Sequence, residues 1–157
     1  MGSSVVSERL DQGRRPLLII IGLVIVIGLP LLFYPFGRDQ GIHAYVAASW
    51  LDGLLPYKDT WVQKGPLTFL PHMPGIALFG RTEWAIRSLD LLWQIVISWL
   101  IYRIARRRLS GAGALLAVFF YLLLYFAIDF WNTSHGESFL LPFLLLGVDL
   151  YDRARLL

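Results

Sequence analysis

Residues 16–36 read PLLIIIGLVIVIGLPLLFYPF, a run without a charged side chain that decides the fold of this chain. A helix rises ~1.5 Å per residue, so about 21 residues measure about 31 Å and match the hydrocarbon core of a bilayer. The run is longer than the apolar part of a signal peptide, and no small-residue cleavage site follows it. We therefore predict a membrane-spanning helix at residues 16–36.

The composition agrees with a membrane protein. Of the 157 residues, 57% are hydrophobic and 16% are charged, and the mean hydropathy is +0.61. Soluble domains seldom combine these values. The net charge of +3 does not indicate nucleic-acid binding, because most arginines stand at the ends of apolar runs. The chain contains no cysteine, which excludes disulfides and thiolate metal sites.

Three further apolar runs predict spans at residues 84–105, 109–128 and 138–151, with Pro142 placed to kink the last one. We therefore expect an all-α, polytopic membrane protein with about four transmembrane helices. The chain forms a single membrane domain over residues 1–157, and its long connection lies between the first two spans.

Basic residues at the span ends predict the orientation, because cytoplasmic ends are enriched in Lys and Arg. This places the tail of residues 1–15 and the C-terminus in the cytoplasm, as expected for a multi-pass protein of a bacterial plasma membrane. The loop of residues 37–82 and the turn of residues 129–136 then share the opposite face. The basic residues are Arg14, Arg15, Arg103, Arg106, Arg107, Arg108, Arg153 and Arg155.

The long loop contains RDQGIHAYVAASWLDGLLPYKDTWVQKGPLTF at residues 38–69. Helical spacing predicts an amphipathic helix at residues 39–53, and Gly53 ends it. A second helix is expected from Pro66 to Gly80, because proline suits a first helical turn. We expect both helices to lie at the membrane interface. One side of the first helix comprises Ile42, Tyr45, Val46, Ser49 and Trp50, and the aromatic anchors are Trp50, Tyr57, Trp61 and Trp84.

A set of short motifs in this loop resembles the first loop of the GT-C membrane glycosyltransferases, which include protein O-mannosyltransferases and aminoarabinose transferases. The motifs are Asp39-Gln40, GLLPYKD at residues 53–59, QKGPL at residues 63–67, Phe79-Gly80 and Arg87. The resemblance implies transfer of a sugar from a polyprenyl-phosphate donor to a hydroxyl of a glycan, lipid or protein on the non-cytoplasmic face. It covers residues 10–157 here and the N-terminal part of such enzymes, which have more spans. The alternatives are that the chain is an N-terminal module of such an enzyme or that it pairs with another chain that supplies further spans.

Such a transfer needs a carboxylate base and a cation or metal at the leaving phosphate. Asp39 stands at the exit of the first span, where it can accept a proton or bind Mg²⁺ or Mn²⁺ through oxygen. The alternative is that Asp39 caps the following helix. Glu137 resembles the second acidic position of the family and is a second candidate metal ligand, whereas a first-turn carboxylate is also favoured by the helix dipole.

Lys64 is the candidate contact for the donor phosphate, in agreement with the resemblance, and the alternative is that it only anchors the loop to lipid headgroups. Tyr57, Lys58 and Gln63 are further candidate substrate contacts. Lys58 lies in a predicted turn and is the weaker headgroup candidate.

His43 follows Asp39 by four residues and shares its helical face, so it is a candidate substrate contact that can share a proton with Asp39. Gln40 stands where many relatives of the resembled family have Glu, and it is also a candidate contact. Asp129 and His135 are alternatives to Glu137 in the second outward turn.

Two other features have structural interpretations. Arg87 and Asp90 are expected to pair with each other or with loop groups, because unpaired charges at membrane depth are costly. Residues 132–134 match a glycosylation sequon by their sequence alone.

The alternative function is a non-catalytic membrane subunit, or a transporter-like fragment, that binds lipid headgroups through the loop.

Overall fold

The computed structural model describes residues 2–127, 131 and 133–155, with side chains from residue 13 onward. This part of the chain contains six α-helices and no β-strand, which confirms the all-α prediction. Asp129 and Asn132, which the sequence singled out, lie outside the described residues. The helices are α1 Gly2–Gly28, α2 Arg38–Leu51, α3 His72–Phe79, α4 Glu83–Ala105, α5 Gly111–Ala127 and α6 Gly136–Arg155.

Two of the helical segments, Gly13–Phe33 and Glu83–Ala105, are long and apolar enough to cross a membrane. They correspond to the first two predicted spans. The third predicted span coincides with α5, which is apolar and has 17 residues, and the fourth lies within the 20 residues of α6. The four-span count stays a prediction.

The first span differs from its prediction at both ends. Helix α1 begins at Gly2, inside the predicted tail, and its α-helical part ends at Gly28. A 3₁₀ turn, Leu29–Phe33, follows it and contains Pro30. Proline removes a backbone donor and clashes with the preceding turn, which explains why the α-helix does not continue to residue 36.

The outer loop folds back onto α4, and the first predicted loop helix is present as α2. Helix α2 buries Gln40, His43, Val46, Ala47 and Ser49, whereas Ile42 and Tyr45, which share a side with Val46 and Ser49 in the predicted helix, are exposed. The interfacial placement of the loop helices stays a prediction. The helix predicted from Pro66 is a short 3₁₀ turn, Pro66–Thr68, followed by α3. The buried cluster beneath these elements comprises Val46, Ala47, Val62, Phe69, Ile76 and Ile86.

Helix α4 is the central element, because it packs against α1, α3, α5 and α6. Ile20 and Val24 of α1 and Val118 and Leu122 of α5 form the apolar cluster beside it. The first residues of α4 and α6 lie at the end of the bundle that also receives the outer loop. This end brings the sequence-predicted site residues together.

Candidate functional site

A cavity of about 220 Å³ opens between the start of α2 and the segment of residues 61–64. Three predicted substrate or catalytic residues from different motifs, Asp39, His43 and Lys64, line it together with Gln63. The full lining is Arg38, Asp39, Ile42, His43, Trp61, Val62, Gln63 and Lys64. The cavity is therefore bordered by a carboxylate, an imidazole, an amide and two cations.

Four titratable side chains form a continuous row beside this cavity. Lys64 Nζ donates a hydrogen bond to Glu137 Oε1 over 2.6 Å. The other Glu137 oxygen contacts His135 Nδ1, and His135 Nε2 lies 3.4 Å from Asp39 Oδ2. The order Asp39, His135, Glu137, Lys64 connects the two predicted catalytic carboxylates through one imidazole. We call these four side chains the charged row.

Glu137 is held in its ionised form. Partial burial raises the pKa of Glu137, but the hydrogen bond from Lys64 and the neighbouring His135 outweigh burial and lower this pKa to about 2. At neutral pH Glu137 is therefore a weak base and not a proton donor. Its place in the first turn of α6 also agrees with the dipole interpretation. The two carboxylates are equally exposed, at 58% for Asp39 and 57% for Glu137, but Asp39 contacts His135 through one oxygen whereas both oxygens of Glu137 are in contact.

The sequence analysis missed His72, which lies behind the charged row. Its ring is fully buried, with its centroid 5.8 Å from that of His43, which in turn lies 5.2 Å from that of His135. Burial lowers the pKa of His72 to about 3. Burial, then the nearby His135 and Lys64, lowers the pKa of His43 to about 4. Both imidazoles are therefore neutral at pH 7, and the Nδ1 atoms of both are buried without a hydrogen-bond partner among the described residues.

Arg87 and Asp90 hold the turn that carries His135 and Glu137. Arg87 donates to Thr133 Oγ1 over 2.8 Å and to Ser134 Oγ over 3.3 Å. Asp90 accepts hydrogen bonds from Ser134 N at 2.9 Å and from Ser134 Oγ at 3.0 Å. Arg87 and Asp90 therefore both contact Ser134 of this turn. This agrees with the predicted alternative in which they pair with loop groups. Burial of this network fixes the turn relative to α4.

Gln40 lies away from the cavity and positions α2. Its Oε1 accepts from Gly37 N over 2.6 Å and from Arg87 over 3.2 Å, while its Nε2 donates to the carbonyls of Trp131 and Thr133. These contacts give Gln40 a role in orienting the helix, and its substrate contact stays a prediction. They also correct the capping alternative for Asp39, because the N-cap of α2 is Gly37 and Asp39 lies within the first turn.

Gly136 permits the close approach that places Glu137 beside Lys64. A Cβ atom at Gly136 would lie 2.5 Å from the Cβ of Thr68 and 2.7 Å from its Cα and carbonyl oxygen. Any larger residue would therefore push α6 away from the 3₁₀ turn that follows Lys64. Lys64 is also held from the other side, because the Tyr57 hydroxyl donates to its carbonyl over 2.6 Å.

Tyr57 is thus a support for Lys64, and Lys58 is an exposed turn residue outside the cavity lining. The predicted metal ligands Asp39 and Glu137 do not fit a metal in this arrangement. Both Glu137 oxygens already contact Lys64 and His135, and the described residues contain no group of three His, Asp or Glu placed to hold an ion. We derive no step through a metal, and the Mg²⁺ or Mn²⁺ site stays a prediction.

Comparison with known protein families identifies a match that covers the second half of the site. A family model described as dolichyl-phosphate-mannose-protein mannosyltransferase matches residues 63–153, more than half of the chain. The matched region contains Lys64, His72, His135 and Glu137, and the cavity residues Asp39 and His43 precede it. No curated protein and no solved structure matches the chain.

Proposed function

The chain belongs to the dolichyl-phosphate-mannose-protein mannosyltransferase family, and we propose that its charged row transfers a sugar from a polyprenyl-phosphate donor to an acceptor hydroxyl. The family is one of GT-C glycosyltransferases, and two apolar helices in the described part of the chain support a membrane location. The single observation that carries the proposal is the placement of Asp39 and Lys64 on one cavity, where the reaction needs a base and a cation.

Lys64 is suited to the donor phosphate. Its ammonium group has three N–H donors, and the hydrogen bond to Glu137 uses one of them. The remaining donors are available to phosphate oxygens at the cavity. Because Glu137 is ionised, it holds the Lys64 side chain at a fixed place. Preorganised positive charge of this kind stabilises the phosphate as it leaves.

Asp39 is suited to the acceptor. In the proposed step the bond between the anomeric carbon and the phosphate oxygen breaks, and the acceptor oxygen bonds to that carbon. The acceptor proton passes to an Asp39 carboxylate oxygen, and the bond electrons leave with the polyprenyl phosphate beside Lys64. His135 orients Asp39 through Nε2, and neutral His43 on the cavity wall offers a hydrogen bond to a sugar hydroxyl.

We place this site on the non-cytoplasmic face of a four-span chain, with both termini in the cytoplasm. The support for this topology is two arginine clusters at the C-terminal ends of α4 and α6, opposite the end of α6 that carries Glu137. The acceptor is a glycan, lipid or protein hydroxyl.

The proposal is tested by incubating membranes that contain the chain with radiolabelled polyprenyl-phosphate mannose and an acceptor extract. We expect transfer by the wild type and a loss of at least about 100-fold for Asp39→Asn, in line with a general base. Asp52→Asn is the matched control, because Asp52 is an exposed carboxylate whose described partner is Arg81, remote from the cavity lining. Donor binding without transfer by the wild type would favour the non-catalytic headgroup-binding subunit instead.

A further inference from the structure

A second cavity, lined only by arginine and tyrosine, lies at the end of the bundle opposite the charged row. It has a volume of about 650 Å³. Glu137 and Arg153 stand 16 residues apart on α6, which is about 24 Å along a helix axis. We call this space the arginine cavity, and its lining comprises Tyr102, Arg103, Arg106, Arg107 and Arg153.

One buried carboxylate holds three of these arginines side by side. Asp149 is 1% exposed, and its oxygens lie 2.5 Å from Arg107, 2.9 Å from Arg103 and 3.2 Å from Arg153. Like charges repel at such separations, so Asp149 supplies the attraction that keeps the guanidinium groups together. The four lining arginines and this one carboxylate leave an excess of three positive charges at the cavity.

A second carboxylate nearby reduces this excess without removing it. Asp152 lies 3.4 Å from the lining residue Arg107 and 3.8 Å from Arg108, which is outside the lining. With Asp152 counted, the four lining arginines keep an excess of two positive charges. Arg106 donates to the carbonyl of Leu109 over 2.8 Å, a contact that leaves its charge uncompensated. The cavity therefore has N–H donors in excess of the described acceptors.

Two general effects account for arginines at this end, but not for their arrangement. Positive charge sets the orientation of membrane helices, and it interacts favourably with helix C-termini such as those of α4 and α6. Both effects are satisfied by separate, solvated side chains. Neither effect requires a buried aspartate that holds three guanidinium groups around one cavity. Clustered guanidinium groups of this kind form several charge-assisted hydrogen bonds with a polyvalent anion.

We propose that the arginine cavity binds an anionic phosphate group, carried by a phospholipid headgroup or by a soluble phosphate ester. Arginine forms paired, planar hydrogen bonds with phosphate oxygens, and Asp149 holds the guanidinium groups in position before the ligand binds. Basic cavities at the ends of membrane helices are the positions where anionic headgroups lie. The proposal is independent of sugar transfer, because none of its residues belongs to the charged row.

The test uses the full chain in nanodiscs of phosphatidylcholine with and without phosphatidylglycerol, and native mass spectrometry counts the retained lipids. Both lipids contain a phosphate, but phosphatidylcholine also has a cation, which the excess charge of the cavity disfavours. We expect wild-type protein to retain phosphatidylglycerol at least about fivefold over phosphatidylcholine. Arg106→Gln should lower this retention about fivefold, consistent with one charge-assisted hydrogen bond.

Arg108→Gln is the matched control, because it removes the same charge from the same connection at a side chain that is 80% exposed and outside the lining. It should change retention less than about twofold, as expected for a screened surface charge. A parallel titration with inorganic phosphate in phosphatidylcholine nanodiscs measures thermal stabilisation, and it distinguishes a soluble phosphate ligand from a phospholipid headgroup. Stabilisation by phosphate that Arg106→Gln abolishes supports a soluble ligand at this cavity. Equal losses in the two variants, or no effect of either anion, would overturn the proposal.

Discussion

Lys64 Nζ lies 2.6 Å from Glu137 Oε1, although 73 residues separate the two along the chain. This contact joins the outer loop to the first turn of α6 and completes the charged row. It depends on two local features: Gly136, which lets the backbones approach, and the turn held by Arg87 and Asp90. The expected outcomes below follow from these dependencies.

Gly136→Ala is expected to separate Lys64 from Glu137. The added methyl group would overlap the backbone of Thr68, and such overpacking costs about 1–3 kcal/mol. We expect a lower thermal midpoint in detergent and at least about tenfold slower transfer, because Lys64 loses its positioning by Glu137. Gly147→Ala is the control on the same helix, because its Cβ would have no atom within 4 Å. Equal behaviour of the two variants would contradict the role of the close approach.

Asp90→Ala is expected to destabilise the protein strongly. It removes the carboxylate that accepts from the Ser134 hydroxyl and N–H, and it removes the nearby countercharge from buried Arg87. Among the described residues, the Ser134 N–H then keeps only the Tyr125 hydroxyl, at 3.1 Å. Removing one partner from a buried charged network costs about 3–5 kcal/mol. Asp52→Ala breaks an exposed ion pair with Arg81 and should cost less than about 1 kcal/mol. Chemical denaturation of both variants in mixed micelles measures the difference, and comparable losses would disprove it.

The protein should lose stability as the pH falls from 7 to 5, and His72 should account for about half of that loss. The folded state keeps the pKa of His72 near 3 and that of His43 near 4, whereas the unfolded state has ordinary values near 6.5. The stability contributed by these neutral imidazoles is therefore present above pH 6.5 and lost as the pH falls toward the folded values. Thermal midpoints of His72→Gln should fall about half as far as those of the wild type over this interval, and an equal fall would exclude the linkage.

Glu137→Gln is expected to separate binding from transfer. The amide no longer holds Lys64 and His135 by charge, so transfer should fall at least about tenfold through lost positioning. Donor binding should fall less than about threefold, because Lys64 stays at the cavity and gains a free N–H donor. Turnover and equilibrium donor binding are both measured on one preparation of Glu137→Gln, so that the loss of transfer is compared with the loss of binding. A larger loss of binding than of turnover would refute this assignment.

The sequence predicted the helices better than their contacts. Hydrophobic runs and periodicity located α1, α2, α4, α5 and α6, because these patterns are local. Periodicity grouped Ile42 and Tyr45 with Val46 and Ser49, but only the second pair is buried, because burial of α2 also depends on groups contributed by α4 and by the turn of residues 133–136. The sequence contains Pro30, but the apolar run continues past it to residue 36, so the predicted span did not end where the α-helix ends, at Gly28.

The site shows the same division. Orientation and motifs correctly put Asp39, Lys64 and Glu137 near one another, as the structure finds. His135 was predicted only as an alternative to Glu137. The sequence does not indicate that His135 bridges Asp39, 96 residues away, and Glu137, 2 residues away. His72 was missed because one histidine in an apolar segment is typical of a core residue. Only tertiary packing places its ring beside His43.

Equilibrium binding of polyprenyl-phosphate mannose to the purified chain tests most directly the claim that the charged row receives the donor phosphate. We expect Lys64→Met to weaken wild-type binding about 10- to 100-fold, which corresponds to one charge-assisted hydrogen bond. Lys58→Met removes the same charge from an exposed turn outside the cavity and should change affinity less than about twofold. Unchanged binding in Lys64→Met, or equal losses in the two variants, would contradict the account.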